Sequence, residues 1–359
     1  MSTTPLATPR RATITDVARE AGTGKTSISR YLNGEMSVLS PELRARIEAA
    51  IERLDYQPNQ MARGLKRGRN RLIGMLLADL TNPYTVEVLQ GVEAACHALG
   101  LMPLICHAAN EVEMERRYLQ LLTTYRVEGV IVNALGVREE TLRPVGGGGI
   151  PAVLVDRTVD GLVTDMVGLD NRAAAELGTR HLLENGFDDI WFVVQPFEQV
   201  SSRRLREAAF RDVMSGEEGT GGKGGARGHT LVLNLVDSAA VERSLAELDR
   251  ALEAAASSGG RAHKPGRVAL FAANAPVALC LALHLKARYG ADWQARVALL
   301  SIDDPEWAEL TGITTIRQPT YEIGYRAVEF LHERIEGIQT AARDCLLQGE
   351  LIVRASTSR

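Results

Sequence analysis

The sequence predicts an α/β protein: an N-terminal helix-turn-helix head of three helices, then two doubly wound parallel-sheet subdomains. Three observations predict this. Residues 13 to 54 carry apolar positions at helical spacing, broken by a glycine turn. From Leu72 onward, short apolar runs alternate with amphipathic helical stretches. That alternation then starts afresh after Asp170.

Charge divides the chain at the same place. Of 359 residues, 41 are Lys or Arg and 45 are Asp or Glu, yet residues 1 to 71 hold 13 basic against 7 acidic, leaving 28 against 38 for the rest. A basic head on an acidic body fits one module that meets phosphates and another that has no reason to. The first segment, 1 to 12, is basic without an apolar run behind it. It reads as a disordered tail, neither signal peptide nor anchor.

Residues 13 to 58 form the head. In TITDVAREAGTGKTSISRYLNG, the residues Ile14, Val17, Ala18, Ala21, Ile28 and Leu32 supply a small core, and Gly22 makes the bend. Lys25, Thr26, Ser29 and Arg30 are left facing outward, a donor-rich face suited to base edges and phosphates. Ser40-Pro41-Glu42 is a helix start with cap, N1 proline and first-turn acid. Leu43, Ile47, Ala50, Ile51 and Leu54 carry that third helix onward. Residues 59 to 71 follow as hinge and linker. Asn59 can cap a short helix with Met61, Ala62 and Leu65 on one side and Arg63 and Lys66 on the other. So few residues, with Gly64 among them, cannot hold a helix alone in water, so it is expected to form only on DNA beside a second copy.

In the body, LIGMLLADL, MPLIC, VEGVIVNAL and IPAVLVD read as strands, with helices from Val86 to Leu99 and around Glu113 to Tyr125. DIWFVVQ, TLVLNLV, RVALFAA and VALLSID make the second set, with helices at 171 to 185, 203 to 215, 239 to 256 and 276 to 289. The expected division is 72 to 170 plus 318 to 345 for the first subdomain and 171 to 317 plus 346 to 359 for the second. Gly-rich 216 to 229 and 146 to 149 read as surface loops. Ligands of such sheets bind beyond the carboxyl ends of the strands. The loops there offer Asp79, Asn82 and Tyr84, then Asp156 and Arg157, Ser201, Ser202 and Arg206, Asn274, and Asp303 with Asp304. Carboxylates and amides suit vicinal hydroxyls, and an arginine fork takes a carboxylate. Adjacent acids cannot both face one cleft, so Asp304 is expected to be structural, and Arg157 to pair partly with an acid of the fold.

TITDVAREAG, SxSRYLNG, LDYQPNQMARGL and RLIGMLLADLTNPY, in this order, followed by VEGVIVN, IPAVLVDR, VGLDN, SIDD, TTIRQP and VRAST, resemble the LacI/GalR family of bacterial transcriptional repressors over essentially the whole chain. The resemblance implies subdomains of periplasmic-binding-protein type, a pseudo-palindromic double-stranded DNA operator, a small-molecule effector and a homodimer. It places the base-reading pair on Lys25 and Thr26, a reading arginine on Arg30, and a minor-groove wedge on Leu65. The DNA-facing set then comprises Thr15, Thr23, Lys25, Thr26, Ser29, Arg30 and Asn33 on the head and Asn59, Ala62, Arg63, Leu65 and Lys66 on the hinge. Where the family usually has Val-Ser before the second helix, this chain has Thr23-Gly24, and Thr23 is expected to take over the cap. For the effector the resemblance implies Arg206, Asn274 and Asp303, with Tyr84 stacking over the ligand, beside Asp79, Asn82, Asp156, Arg157 and Ser202. Ala275 stands where an Asp usually follows the asparagine, and Arg203 and Arg204 add positive charge. A pocket with fewer acids and more arginines prefers an anion. NQMARGLKRGRNRLIGML, ADLTNPYTVEVLQGVEAAC and VEGVIVNALG are most similar to repressors of gluconate and 2-ketogluconate use. The effector expected is therefore a sugar acid, best 2-ketogluconate, with a neutral sugar or purine as alternative.

Rival readings meet contrary residues. A phosphate-binding loop at GTGKTS would need glycine at Arg19 and a strand before it. A periplasmic sugar-binding protein would carry a signal peptide and no basic head. An enzyme would need a nucleophile with its base or a metal cluster. The seven histidines lie without acids or cysteines at ligand spacing, and Cys96, Cys106, Cys280 and Cys345 are scattered, as buried reduced thiols are. No cofactor, no catalytic residue and no metal is expected. The location expected is cytoplasmic, with a dimer as minimal unit because no heptad helix follows VRAST.

Overall fold

The computed structural model describes residues 10–58, 69–133, 142, 149–159, 161–198, 200–218, 225–257 and 268–358. The hinge positions Asn59, Ala62, Arg63, Leu65 and Lys66 lie outside the described residues. The chain forms two compact units, residues 1–70 and 71–359.

The first unit contains α1 (Ile14–Glu20), α2 (Lys25–Leu32) and α3 (Pro41–Arg53). Thr13 caps α1 in a reciprocal box. Its own N–H donates to Asp16 Oδ2 (2.9 Å), while its hydroxyl accepts from Asp16 N (3.3 Å). Ser40 caps α3 through Leu43 N at 3.2 Å, with Pro41 at the first helical position. Val17, Ala18, Ala21, Ile28, Ile47 and Ala50 close the core, joined by Leu39, which helical periodicity does not single out because it lies in the connection before α3. Between α1 and α2, Gly22 takes φ +61°, the left-handed conformation the bend requires.

The second unit holds, among the described residues, two six-stranded sheets. The first runs β11-β5-β4-β3-β1-β2, from β1 (Leu72–Leu77), β2 (Met102–His107), β3 (Gly129–Asn133), β4 (Ala152–Val155), β5 (Asp165–Leu169) and β11 (Asp344–Leu347), every pairing parallel. The second runs β12-β10-β9-β8-β6-β7, from β6 (Asp189–Val194), β7 (Arg227–Val232), β8 (Val268–Ala272), β9 (Ala298–Ile302), β10 (Thr314–Arg317) and β12 (Glu350–Ile352), parallel except for β12. Strands β1, β3, β8 and β9 are almost wholly buried, as strands covered on both faces must be.

Helices α4 (Pro83–Leu99), α5 (Val112–Thr124) and α11 (Thr320–Ile335) belong to the first sheet. The helices α6 (Asn171–Glu184), α7 (Ser201–Glu218), α8 (Ser238–Ser257), α9 (Ala275–Tyr289) and the short α10 (Glu306–Thr311) belong to the second. The chain passes from sheet to sheet after β5, after β10 and after β11. The last passage comes later than the expected 345: β11 pairs with β5 through Leu347↔Leu169, so residues 346 and 347 stay in the first sheet. β7 also starts earlier than the apolar run at 230 to 236, because its ladder with β6 begins at Arg227↔Asp189.

Candidate functional site

In both sheets the strand order reverses next to the first strand, between β1 and β3 and between β6 and β8. Crevices open at such points because neighbouring connections leave on opposite faces. The residues that end or follow these strands converge on one cavity of about 160 Å³ between the two sheets' carboxyl ends. Asp79 and Asn82 come from the β1 loop, Asn133 from the end of β3, Asp156 and Arg157 from β4, Gln195 from β6 and Asn234 from β7.

Two carboxylates occupy equivalent places in the two halves. Asp156 follows β4 with φ +68°, and Asp303 follows β9 with φ +79°. Each N–H continues the ladder to the next strand, Asp156 N to Val167 O (3.0 Å) and Asp303 N to Ile316 O (3.0 Å). A non-glycine residue in this region is strained, and the paired ladder bonds hold it there. Asp156 joins the halves: Ser202 Oγ of α7 donates to it at 3.2 Å, Arg157 Nε lies at 3.4 Å and Arg206 Nη2 at 3.8 Å. Beside it, Thr158 N donates to Ser201 Oγ at 2.9 Å.

Asp79 makes a local turn, accepting from Thr81 N (2.8 Å) and Thr81 Oγ1 (2.7 Å). Burial pushes its carboxyl up, but the Thr81 hydroxyl and amide outweigh that and hold it below the ordinary range. Asn82 Oδ1 caps α4 at Tyr84 N (3.2 Å). Tyr84 is buried, and its hydroxyl has no hydrogen-bond partner among the described residues. Burial first, and the Asp156 charge second, push that phenol well above its usual range.

Beneath the cavity wall lies a second layer. Arg206, 4% exposed, donates from Nε to Asn171 Oδ1 (2.7 Å) and from Nη1 to Ala273 O (2.7 Å). Asn274 caps α9 through Val277 N (3.2 Å) and donates to Gln195 Oε1 (2.8 Å). Asp303 accepts from Ala275 N (2.9 Å) and Gln318 Nε2, and burial raises its carboxyl above the usual value against the pull of Arg206. Ser202, Arg206 and Asn274 therefore support the cavity from behind, while Asp79, Asn82, Tyr84, Asp156 and Arg157 face it. Asp303 instead borders a small side cavity behind Tyr84. Asp304 lines that side cavity too, but not the main one, and is tied to Arg354 (2.7 Å) and Arg317 (2.8 Å). That contact ties the terminal VRAST segment to the second half.

Sequence reasoning missed Asn133, Gln195 and Asn234 as wall residues. The signal was there: a lone amide closing an apolar strand, which the run VEGVIVNAL or DIWFVVQ hides when read as strand throughout. Arg203, read earlier only as added charge, also lines the cavity.

On the head, Thr15, Lys25, Thr26 and Arg30 are exposed, and Ser29, Thr23 and Asn33 half-buried. Ile28, 0% exposed, pins the opposite face of α2 to the core. Arg30 Nε lies 4.0 Å from Glu35. The expected cap by Thr23 does not form. Gly24 is the cap residue of α2 and has no side chain to bond, while Thr23 N completes the preceding turn through Ala18 O (2.9 Å). Among the described residues no group of His, Cys, Asp and Glu could hold a metal ion, and no helix is long and apolar enough to cross a membrane.

Residues 13–59 match the family profile of bacterial regulatory proteins, lacI family, and residues 70–216 that of periplasmic binding proteins and sugar binding domain of LacI family. Residues 179–357 match a periplasmic binding protein-like domain. The chain is 42% identical to the HTH-type transcriptional regulator PtxS of Pseudomonas aeruginosa, over 97% of this chain and 96% of that one. It is 32% identical to the HTH-type transcriptional regulator KdgR of Bacillus subtilis, over 97% and 98%. Its fold matches the lac repressor dimer bound to operator and an anti-inducer, with a TM-score of 0.78 at 21% identity, over 97% of this chain and 99% of that one. Head, paired sheets and cleft thus have one explanation: the chain belongs to the lacI family of bacterial regulatory proteins.

Proposed function

We propose that this LacI-family repressor is switched by a sugar acid, 2-ketogluconate first among them, bound in the cleft between its two sheets. As a member of the family it is a DNA-binding transcriptional regulator. Its head presents Lys25, Thr26, Ser29 and Arg30 to the operator, Thr15, Thr23 and Asn33 flank them, and the segment 59 to 71 couples head to body. One head reads a half-site, so a homodimer on a pseudo-palindromic operator follows. We read the protein as a cytoplasmic regulator and not an enzyme, like the PtxS and KdgR regulators it resembles.

One observation carries the acid reading. The cleft's carboxylates are already engaged, Asp79 by Thr81 and Asp156 by Ser202, Arg157 and Arg206. Arg203, in contrast, donates to two neutral oxygens, Pro196 O and Gln195 Oε1, both at 2.9 Å. Around Asp156 the balance is positive, because Arg157 and Arg206 share that single carboxylate and the Arg203 charge acts on the same place, which favours an anion there.

The mechanism is a population shift. A ligand that prefers one arrangement of the two subdomains, by about 1–3 kcal/mol, biases whether paired hinge segments form on DNA. For a catabolic acid, release from DNA is the expected direction. Thermal melts of the full chain with 2-ketogluconate, gluconate, ribose and hypoxanthine test the ligand, and retention of genomic fragments at two salt concentrations with and without each compound tests the switch. The acids alone raise the melting temperature and change retention. A response confined to ribose or hypoxanthine rejects the proposal.

A further inference from the structure

Arg157 and Arg203 reach the cavity from opposite walls. Arg157 follows β4 of the first sheet, whereas Arg203 lies in the first turn of α7, which packs on the second. Their surroundings differ. Arg157 stands 3.4 Å from Asp156, whereas Arg203 is bonded to neutral oxygens of the 195–196 loop and feels the Asp156 charge only at longer range, so one cation is the better balanced of the two. The two also oppose each other: burial first, and the Arg157 charge second, push the Arg203 guanidinium down to about 10. Like charges held in a gap of reduced dielectric repel, and an anion between them turns that repulsion into two attractions.

The neighbouring wall suits the remainder of a hydroxylated chain. Asn110, Asn133 and Asn234 offer amides, and the buried Tyr84 hydroxyl lacks a partner among the described residues. A buried hydroxyl without a bond is costly, and a ligand oxygen reaching that depth removes the cost. Arg206 is not placed for the same task, since its Nε and Nη1 are spent on Asn171 and Ala273 and its third nitrogen faces Asp156.

We infer that the effector's carboxylate is gripped between Arg157 and Arg203, bridging the two subdomains, and that this pair, rather than Arg206, makes the protein prefer an acid to the corresponding neutral sugar. The inference rests on the sugar-acid reading of the cleft. It also gives closure a cause: the anion removes the repulsion between the two arginines and adds to the Asp156 contacts that already join the halves.

Calorimetric titration of the full chain tests it, using 2-ketogluconate, gluconate and D-fructose, which carries CH2OH in place of the 2-ketogluconate carboxylate. Wild type is expected to bind 2-ketogluconate at least about 100-fold more tightly than fructose, about 10-fold or more for each arginine. Arg203→Gln and Arg157→Gln should each cut that ratio by about 10- to 100-fold, the worth of a charge-assisted bond. Arg203→Lys, which keeps the charge but not the fork, should retain part of it. If a glutamine variant fails to melt cooperatively, the lysine variant and the other arginine carry the comparison. Should wild type prefer the acid and the variants keep that preference, the carboxylate sits elsewhere: this inference falls while the sugar-acid reading stands. Should wild type bind neither acid better than fructose, the reading itself fails, and the inference with it.

Discussion

Replacing Asp165 by Asn should unfasten the returning end of the chain from the first subdomain. Asp165 opens β5 with its side chain fully buried, and it accepts from Arg334 Nε (2.8 Å) and Nη2 (2.9 Å) and from Arg343 N (2.9 Å), Nε (3.2 Å) and Nη2 (3.0 Å). These two arginines hold the end of α11 and the entry to β11, and Arg343 also covers the Phe330 ring at 3.6 Å. Burial alone would push the Asp165 carboxyl up, but the bonds from Arg334 and then Arg343 outweigh it and bring it from 3.8 down to about 2. A depression of that size corresponds to about 2 kcal/mol of stability at neutral pH. Because the native value is the lower one, the contribution is complete above about pH 4 and is lost as pH falls through about 2. Asp165→Asn leaves two guanidinium groups facing an amide, so the loss at pH 7 should be about 2 kcal/mol and reach about 3–5 if the arginines cannot find water. The loss of about 2 kcal/mol corresponds to a fall of about 4–8 °C in melting temperature for a unit of this size, and the larger loss to more. Urea titrations of wild type and variant at pH 7 and pH 2.5, followed by far-UV dichroism, measure it. Equal midpoints at pH 7, or a gap that does not narrow at pH 2.5, would refute the argument.

Three further outcomes follow from the same kind of reasoning. Gly324 of α11 faces the backbone of α4 so closely that a Cβ built on it lands on the Val88 carbonyl oxygen, and Gly91 meets Tyr321 O in the same way. Gly324→Ala should cost about 1–3 kcal/mol by forcing the helices apart, despite the gain of about 1 kcal/mol in helix propensity, and a melting temperature at or above wild type would contradict this. Gly24→Ser supplies the hydroxyl that α2 lacks and should stabilise it by a few tenths of a kcal/mol, seen as slower amide exchange at Thr26 and Ser27; unchanged exchange means the hydroxyl finds no bond. Lys25→Ala should alter sequence preference in operator selection, whereas Lys66→Ala should weaken all DNA evenly and flatten the salt dependence by about one contact, and the reverse pattern would mean the docking is wrong.

Much of this protein was written in local pattern. The head's core, the Ser40-Pro41 start of α3 and the apolar strands β1, β3, β8 and β9 follow from spacing and caps, because each depends on neighbours a few residues away. Asp79, Asp156 and Asp303 were legible as well, since a polar residue closing a buried strand must stand at the sheet's carboxyl edge. The short strands DMVGL, TTIR, DCLL and ELI were not, having neither an unbroken apolar run nor clean alternation. They exist only because a distant partner offers a ladder, as β5 does for β11 across Leu347↔Leu169. The same limit applies to the arginines of SSRRLREAAF. Their order in the chain places Arg203 and Arg206 on one face of α7 and Arg204 on another, but it does not say how deep each will sit. Depth came from packing: the floor offers Arg206 the Asn171 and Ala273 oxygens, from elements 35 and 67 residues away, and leaves Arg203 half-buried on the cavity wall. Spacing decides which way a side chain points; only the surfaces brought together by folding decide what it meets.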